Sequence, residues 1–143
     1  MGRYLPEGWP LPAVDDLSRD FFTSGRLLLQ QCAACGVIQH PPEEVCFKCQ
    51  ATRFTSVESR GLGTVYSCIV AHYPVNPQLK ERVPYGVALV QLDDYPEVHI
   101  LGNVLNLPPA DLRIGLPVRV TFEAIHDEET GERILMPQWE AIS

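Results

Sequence analysis

The sequence predicts a mainly β protein made of an N-terminal helix, a small metal-stapled ribbon and a five-stranded Greek-key barrel. Two observations support this fold class. Four cysteines form two Cys-x-x-Cys pairs in the first third of the chain, and β-rich runs separated by turn residues fill the rest. We therefore expect three parts: an arm and helix over residues 1–25, the ribbon over 26–59 and the barrel over 60–143.

The first part is predicted to be an extended arm that ends in a short helix. Three prolines within residues 4–12 disfavour regular structure there. Over residues 14–23 the pattern becomes helical, because Asp15 or Asp16 can cap a helix and Gly25 follows at the position where helices often end in glycine.

The four cysteines have the spacing of a metal site. Each pair, Cys32 with Cys35 and Cys46 with Cys49, can place two thiolates on one tight turn. Two such turns facing each other supply four sulfurs at about 2.3 Å from a zinc ion, and four thiolates leave no open position for a catalytic water. We expect structural zinc, with iron, thiol redox chemistry and a lost metal as alternatives.

The barrel is predicted from five β-rich runs with a connector between the third and the fourth. The runs cover residues 61–72, 85–92, 98–104, 118–125 and 133–142. In the fourth run apolar and polar residues alternate, which assigns Phe122 and Glu123 to opposite faces. Pro137 marks the last run as an edge strand or a bulge. This arrangement fits a barrel of the OB type, and a small open sandwich is the alternative.

Charge and hydropathy limit the partners and the location. Eighteen acidic residues oppose eleven basic ones, for a net charge of −7, whereas phosphate binding relies on clustered Lys and Arg. The barrel strands offer Tyr85 and Phe122 but little positive charge, so a nucleic-acid-binding module is the alternative function and not the leading one. No apolar run has the length of a signal peptide or a membrane span, so we expect a cytoplasmic protein without a membrane partner.

Several stretches, in their order along the chain, resemble a known family. They are Arg26-Leu-Leu-Leu-Gln-Gln-Cys-Ala-Ala-Cys-Gly, Pro41-Pro42, Gly61-Leu-Gly-Thr-Val-Tyr-Ser, Pro84-Tyr-Gly-Val-Ala-Leu-Val-Gln-Leu, Leu101-Gly-Asn-Val and Leu112-Arg-Ile-Gly-Leu-Pro-Val. The family joins a rubredoxin-like zinc ribbon to an acyl-CoA-associated OB-fold, and was long known only as a domain of unknown function. The resemblance covers nearly the whole chain.

The resemblance implies a helper subunit and not an independent enzyme. Members of the family accompany thiolase-like, lipid-transfer-protein-like or hydratase subunits that act on acyl-CoA, where they bridge enzymes, support the partner's fold and help to hold coenzyme A. This sequence departs from the family's second knuckle, Cys-Pro-x-Cys-Gly, because Phe47 replaces the proline and Gln50 the glycine. Since glycine there relieves strain at a positive φ, Gln50 should cost about 1 kcal/mol.

Two groups of residues are candidates for ligand and partner binding. Coenzyme A carries phosphates, which need local positive charge in an acidic protein, and Lys80 and Arg82 are the first candidates. Trp9, Phe21 and Phe22 lie in a region too short to bury them, and aromatic residues are enriched at interface centres. We expect them to bind a partner, and packing on the ribbon is the alternative.

No catalytic arrangement is recognisable from the residues. The four histidines, His40, His72, His99 and His126, are scattered and none stands beside a serine or carboxylate in a catalytic pattern. Cys68 lies in a β-rich run and is predicted to be a small buried residue. The glycines at 61 and 63 do not lead into a helix, so barrel curvature explains them better than phosphate binding. An enzyme or electron carrier in its own right is the third hypothesis.

Overall fold

The computed structural model describes residues 4–6 and 8–142. Within them, one helix, α1 (Arg19–Thr23), precedes eight strands. The strands are β1 (Leu28–Cys32), β2 (Ile38–Gln39), β3 (Phe54–Glu58), β4 (Leu62–Ala71), β5 (Tyr85–Leu92), β6 (His99–Gly102), β7 (Pro117–His126) and β8 (Arg133–Ala141). Two 3₁₀ turns cover Pro77–Leu79 and Pro109–Asp111. The mainly β fold class predicted from the sequence is confirmed.

Helix α1 is shorter than the predicted helical region. The Asp15 carboxylate accepts the backbone N–H of Ser18 at 2.9 Å, and the Ser18 hydroxyl accepts the N–H of Asp15 at 3.1 Å. These reciprocal bonds hold the first half of the predicted region as a turn, because short polar side chains compete with helical bonding. Gly25 has a φ of 71° just after the helix, as a C-terminal glycine requires.

The ribbon is a three-stranded antiparallel sheet in the order β2-β1-β3. Both Cys-x-x-Cys turns lie in connections between strands of this sheet. The first turn joins β1 to β2, and the second lies between β2 and β3. The sheet therefore carries both cysteine turns at one end.

The barrel is a five-stranded antiparallel sheet in the order β6-β5-β4-β7-β8. Its two edge strands approach each other through a parallel bridge between Val104 and Trp139. There the backbone N–H of Trp139 donates to the Asn103 carbonyl, and the backbone N–H of Leu105 donates to the Trp139 carbonyl, both at 2.9 Å. This strand order with a parallel closure is the OB topology that the sequence predicted.

Two glycines let β4 run close to its neighbours. A Cβ on Gly61, whose φ is 75°, would lie 2.3 Å from Val120 Cγ1. A Cβ on Gly63 would lie 2.6 Å from the carbonyl oxygen of Gln91. Side chains at these positions would thus push β4 away from β7 and β5, which agrees with the predicted role in barrel curvature.

The ribbon and the barrel share one hydrophobic core. Leu27 and Leu29 from the ribbon pack in the same buried cluster as Val65, Val90 and Trp139 from the barrel. Because this cluster crosses from one sheet to the other, burial of apolar surface stabilises both sheets together.

A turn of the barrel fixes the junction between the two sheets. Asp94, in the connection between β5 and β6, accepts the Ser59 hydroxyl and the Arg60 N–H, each at 2.8 Å. Ser59 is buried and also accepts the N–H of Gly61 at 3.0 Å. Charge-assisted bonds of this kind restrict the path of the chain as it leaves the ribbon.

Strands β7 and β8 refine the predicted pattern at two positions. Pro137 lies on the edge strand β8 and pairs with Phe122 in an unbroken register. It therefore marks an edge strand and not a bulge. The irregular register of the barrel lies in β4, between Val65 and Ser67. Glu123 lies on the face opposite Phe122, as the alternation predicted, and it is nevertheless buried, with 2% of its surface exposed.

Candidate metal centre and binding surfaces

The two cysteine turns have the same backbone design. The Gly36 N–H donates to the Cys32 carbonyl and the Gln50 N–H to the Cys46 carbonyl, both at 3.0 Å. Gly36 and Gln50 have φ values of 78° and 65°. Gln50 is the one non-glycine residue with positive φ among the described residues, so the conformation predicted for it is confirmed.

The four cysteine sulfurs form a compact cluster. Cys32 Sγ lies 3.5 Å from Cys49 Sγ, Cys35 Sγ lies 3.7 Å from Cys46 Sγ, and all four lie within 4.8 Å of one another. A tetrahedral zinc site requires sulfurs about 3.8 Å apart, and a disulfide requires about 2.05 Å. The arrangement fits four thiolates around one metal ion and does not fit disulfides.

Backbone N–H groups and neighbouring sulfurs shift the pKa values of two of the thiols in opposite directions. The Cys35 N–H, 3.5 Å from Cys32 Sγ, lowers the pKa of the Cys32 thiol to about 6. The Ala51 N–H acts to lower the pKa of the Cys49 thiol, but the neighbouring sulfurs, Cys32 first, outweigh it and raise that pKa to about 12. A divalent ion stabilises all the thiolates together, so metal binding removes this conflict.

A buried glutamine supports the second cysteine turn. Gln39 accepts the N–H of Phe47 at 3.1 Å and donates to Gln30 Oε1 at 2.7 Å. The side chains of Val45 and Phe47 nevertheless point outward, and Phe47 is 71% exposed. The ribbon therefore presents an apolar tip on a fixed backbone.

The aromatic residues of α1 pack within the chain. The Phe21 ring contacts Phe22 edge to face, with centroids 5.1 Å apart, and lies 4.9 Å from the His40 ring. Phe21 also packs against the core, and burial lowers the pKa of His40. Phe21 thus packs against the ribbon and Phe22 packs against Phe21, while both rings keep part of their surface exposed, so their predicted role in binding a partner stays a prediction.

A cavity of about 310 Å³ lies outside the barrel where β6 approaches β8, and we call it the seam cavity. Residues 4–6 and 9–10 of the N-terminal arm line it on one side. Val87, Leu101 and Met136, from β5, β6 and β8, line it on another. Most of its lining is apolar, which suits a small apolar group or chain.

The seam cavity brings two predicted site residues together and leaves out a third. Trp9 and Arg82 both line it, and Arg82 Nη1 donates a hydrogen bond to the Tyr4 carbonyl oxygen. Lys80 is exposed and lies outside its lining. Burial raises the pKa of the Tyr4 phenol, while Arg82 acts to lower it. The sequence analysis named Arg82 and Trp9 as candidates but did not indicate that they share a cavity.

One face of the barrel sheet carries an apolar surface that the sequence analysis missed. We call it the outer face; its residues are Tyr66, Ile69, Val87, Leu89 and Leu101. The register opposes Ile69 to Val87 and Leu89 to Leu101, so these side chains share one side of the sheet. Ile69 and Leu101 are 63% and 64% exposed. The runs from which these strands form are apolar at successive positions, which was the available signal.

Charge separates this surface from a nucleic-acid interface. The sequences of β4, β5 and β6 contain no Lys or Arg. The Tyr66 ring stacks on His99, with centroids 4.4 Å apart, and is not interleaved with basic side chains. Of the other aromatic residues considered earlier, Phe122 packs against the core and Tyr85 lines the seam cavity. Single-strand binding needs stacking together with positive charge, so this surface does not favour it.

The remaining predicted features have simple locations. Cys68 packs against the hydrophobic core and is partly buried. In the described part of the chain, no helix combines the length and the apolar character that crossing a membrane requires.

Comparison with protein families identifies both sheets. Residues 19–55 match the family model described as ChsH2, rubredoxin-like zinc ribbon domain. Residues 56–123 match the one described as ChsH2, C-terminal OB-fold domain. The two matches are adjacent and together cover most of the chain.

Three curated relatives carry descriptive names. A probable enoyl-CoA hydratase alpha subunit of Thermomonospora curvata is 38% identical over 112 residues, which cover 76% of this chain and 34% of that protein. A 3-oxo-4,17-pregnadiene-20-carboxyl-CoA hydratase alpha subunit of Mycobacterium tuberculosis is 35% identical over 136 residues, covering 84% and 42%. The matches thus span well under half the length of these two relatives. A DUF35 domain-containing scaffold protein of Methanocaldococcus jannaschii is 31% identical over 100 residues, covering 68% of each chain.

A solved structure matches the whole architecture. A chain of the structure named Ltp2-ChsH2(DUF35) aldolase has a TM-score of 0.75 and 33% identity. The match covers 92% of this chain and 98% of that chain. Together with the two domain matches and the scaffold-protein relative, it shows that the chain belongs to the ChsH2 (DUF35) family, in which a rubredoxin-like zinc ribbon precedes an OB-fold.

Proposed function

We propose that this chain is a non-catalytic accessory subunit of an enzyme that acts on acyl-CoA. The observation that carries the proposal is the nearly end-to-end match to a chain in a structure named as an Ltp2-ChsH2(DUF35) aldolase. Relatives named as a scaffold protein and as hydratase alpha subunits support the same class of role. The partner is a thiolase-like, lipid-transfer-protein-like or hydratase enzyme.

The metal centre contributes to this role by stabilising the ribbon. We assign the ion as zinc, held by the four clustered cysteines, because four thiolates close a tetrahedral site and leave no position for substrate or water. The ion then acts by fixing the two turns, and the surfaces of the chain do the binding.

The outer face is the surface that best suits a protein partner. Monomeric proteins rarely expose large contiguous apolar patches, and such patches mark interaction sites. Here Ile69 and Leu101 are more than half exposed on one side of the barrel sheet. We assign the main partner contact to the outer face, with Trp9 beside it, and not to the packed rings of Phe21 and Phe22.

Positive charge near the seam cavity supports a contact with coenzyme A. Arg82 lines the cavity, and Lys80, two residues before Arg82 in the sequence, is exposed. In an acidic chain, a guanidinium and an ammonium group in one short segment can pair with phosphate. This contact forms only the edge of a site whose catalytic part belongs to the partner.

Association with purified enzymes tests the proposal. The chain should co-purify with a thiolase-like, lipid-transfer-protein-like or hydratase partner and raise that partner's activity or thermal stability. Ile69→Asp and Leu101→Asp should weaken the association by about tenfold or more, since a buried unpaired charge costs more than 1.4 kcal/mol. Ile114→Asp is the matched control, because Ile114 is 68% exposed but lies on the connector before β7, outside the outer face.

Two results would count against the proposal. If the chain neither binds nor affects any of the three partner classes, the accessory role is wrong. If the chain binds but the Ile114 variant loses as much affinity as the Ile69 and Leu101 variants, the partner contacts a surface other than the outer face.

A further inference from the structure

The N-terminal arm is held on the barrel by a buried carboxylate. Glu123 Oε2 accepts the backbone N–H of Tyr4 at 2.6 Å and that of Leu5 at 2.8 Å. Glu123 is 2% exposed, and β7 supplies it from the outside of the barrel, opposite Phe122. A charge at such a depth requires hydrogen bonds in compensation, and the arm supplies two of them.

Side chains of the barrel form a hydrogen-bond network that reaches the other carboxylate oxygen of Glu123 and orients the group. Gln138 Nε2 donates to Glu123 Oε1 at 3.2 Å, and Gln138 Oε1 accepts the Asn103 N–H at 2.8 Å. Asn103 Nδ2 in turn donates to the Gly86 carbonyl at 2.7 Å. These groups belong to β5, β8 and the end of β6, so the acceptor for the arm is oriented by the barrel itself.

The arm forms one side of the seam cavity and belongs to neither sheet. Residues 4–6 and 8–10, which we call the strap, include the cavity-lining side chains of Tyr4, Leu5 and Trp9. Arg82 adds a second attachment through the Tyr4 carbonyl. Because none of the described residues before β1 pairs with a strand, the strap can leave without breaking a sheet hydrogen bond.

The surface under the strap continues the outer face. Val87 and Leu101 belong to the outer face and also line the seam cavity, next to Met136. Removing the strap would join the exposed apolar surface to the cavity floor. The strap therefore covers apolar area that would otherwise be available to a ligand.

We propose that the strap opens and closes the seam cavity, with Glu123 as its latch. With the strap closed, the cavity is limited to about 310 Å³; with the strap open, the cavity floor is uncovered for a larger apolar molecule that carries an anionic group, with the anion beside Arg82. The latch is the pair of N–H bonds from Tyr4 and Leu5, which share one acceptor oxygen. This inference is independent of the proposed partner, since it concerns the isolated chain.

The two tryptophans make the opening measurable. Trp9 lies in the strap and is partly exposed, whereas Trp139 is fully buried in the core. Acrylamide quenching of the intact chain, compared with that of a Trp9→Phe chain, isolates the Trp9 contribution. The same samples titrated with 1-anilinonaphthalene-8-sulfonate, an apolar anion, report access to the cavity.

Two variants release the latch from opposite sides. Leu5→Pro removes one donor from the strap, and Glu123→Gln removes the charge from the acceptor. Each should raise the Trp9 quenching constant by about twofold or more and increase the dye fluorescence, as expected when a segment of low local stability opens. Ala13→Pro is the matched control, because it adds the same ring where no backbone N–H bond to Glu123 exists.

The outcomes separate opening of the strap from damage to the barrel. Increased quenching of Trp9 with native Trp139 quenching in both variants supports the latch. Unchanged Trp9 quenching in both variants overturns it. Increased Trp139 quenching in the Leu5→Pro chain, or a more exposed Trp9 without increased dye binding, would also overturn the proposal, since the strap would then stabilise the core or leave the cavity closed.

Discussion

Gln50 shows what a single residue contributes at the metal centre. Its φ of 65° closes the second cysteine turn, where its N–H reaches the Cys46 carbonyl. The equivalent position in the first turn is Gly36, which adopts this conformation without steric penalty. The second turn therefore carries a strain that the first turn lacks.

Replacing Gln50 with glycine should stabilise the protein. We expect Gln50→Gly to raise the free energy of unfolding of the metal-loaded chain by about 1 kcal/mol, as measured by urea denaturation. Thr52→Gly is the control, because Thr52 lies in the same loop without a positive φ and should lose stability. Equal losses in both variants would show that the backbone of the turn is not strained.

Residue-level predictions succeeded where the cause was local. The cysteine spacing and the positive φ of Gln50 follow from the geometry of one tight turn, so the sequence was sufficient for both. The burial of Glu123 depends on residues more than a hundred positions away in the chain. The alternation along β7 predicts on which side of the strand Glu123 lies. No local pattern indicates that the N-terminal arm will cover this outward side chain.

At the scale of elements, strands were easier to predict than the helix. Turn residues and β-rich composition located the five barrel strands within a few residues. The helix was overestimated because Asp15 and Ser18 bond to each other and hold a turn where the pattern allowed either structure. The outer face was missed because its strands are apolar at successive positions. Such a pattern indicates that both faces of the sheet are covered, but it does not identify what covers each face.

Gly63 provides a test of how tightly the barrel strands approach. A Cβ there would meet the Gln91 carbonyl oxygen and Val90 Cγ1, both at 2.6 Å. Gly63→Ala should therefore lower the free energy of unfolding by about 1–3 kcal/mol, the usual cost of overpacking.

Gly131→Ala separates a steric clash from backbone strain. Gly131 has a φ of 76° but no atom within 4 Å of a built Cβ. Its substitution should cost about 1 kcal/mol from φ alone. Chemical denaturation measures the free energy of unfolding of both variants and of the parent chain. If the Gly63→Ala variant is no less stable than the parent chain, β4 can shift away from β5.

For the whole molecule, the shared core couples the metal to the barrel. Leu27 and Leu29 leave the ribbon to pack with Val65 and Trp139, so loosening the ribbon removes contacts from the barrel. The family resemblance, the fold class and the Cys-x-x-Cys pairs were sufficient to predict the architecture. The continuity of the core was not predictable, because it depends on how the two sheets meet at Asp94.

Removing the metal should therefore destabilise both sheets. We expect one zinc ion per chain and a colourless protein by elemental analysis and absorption spectroscopy, whereas colour would indicate iron. Chelation or Cys46→Ser should lower the unfolding temperature of the whole chain in a single calorimetric transition. Cys68→Ser is the matched control, since Cys68 lies outside the cluster; two separate transitions after chelation would show that the sheets are not coupled.

The Asp94 junction gives the molecule a fixed span. Two apolar points, the ribbon tip with Phe47 and the outer face with Leu101, are held at a set separation because the junction and the shared core prevent the sheets from swinging. A protein that touches both points gains the second contact at the high effective concentration created by the first. A protein with the same patches at another spacing gains one contact at most. Binding to both points thus depends on their separation as well as on their chemistry.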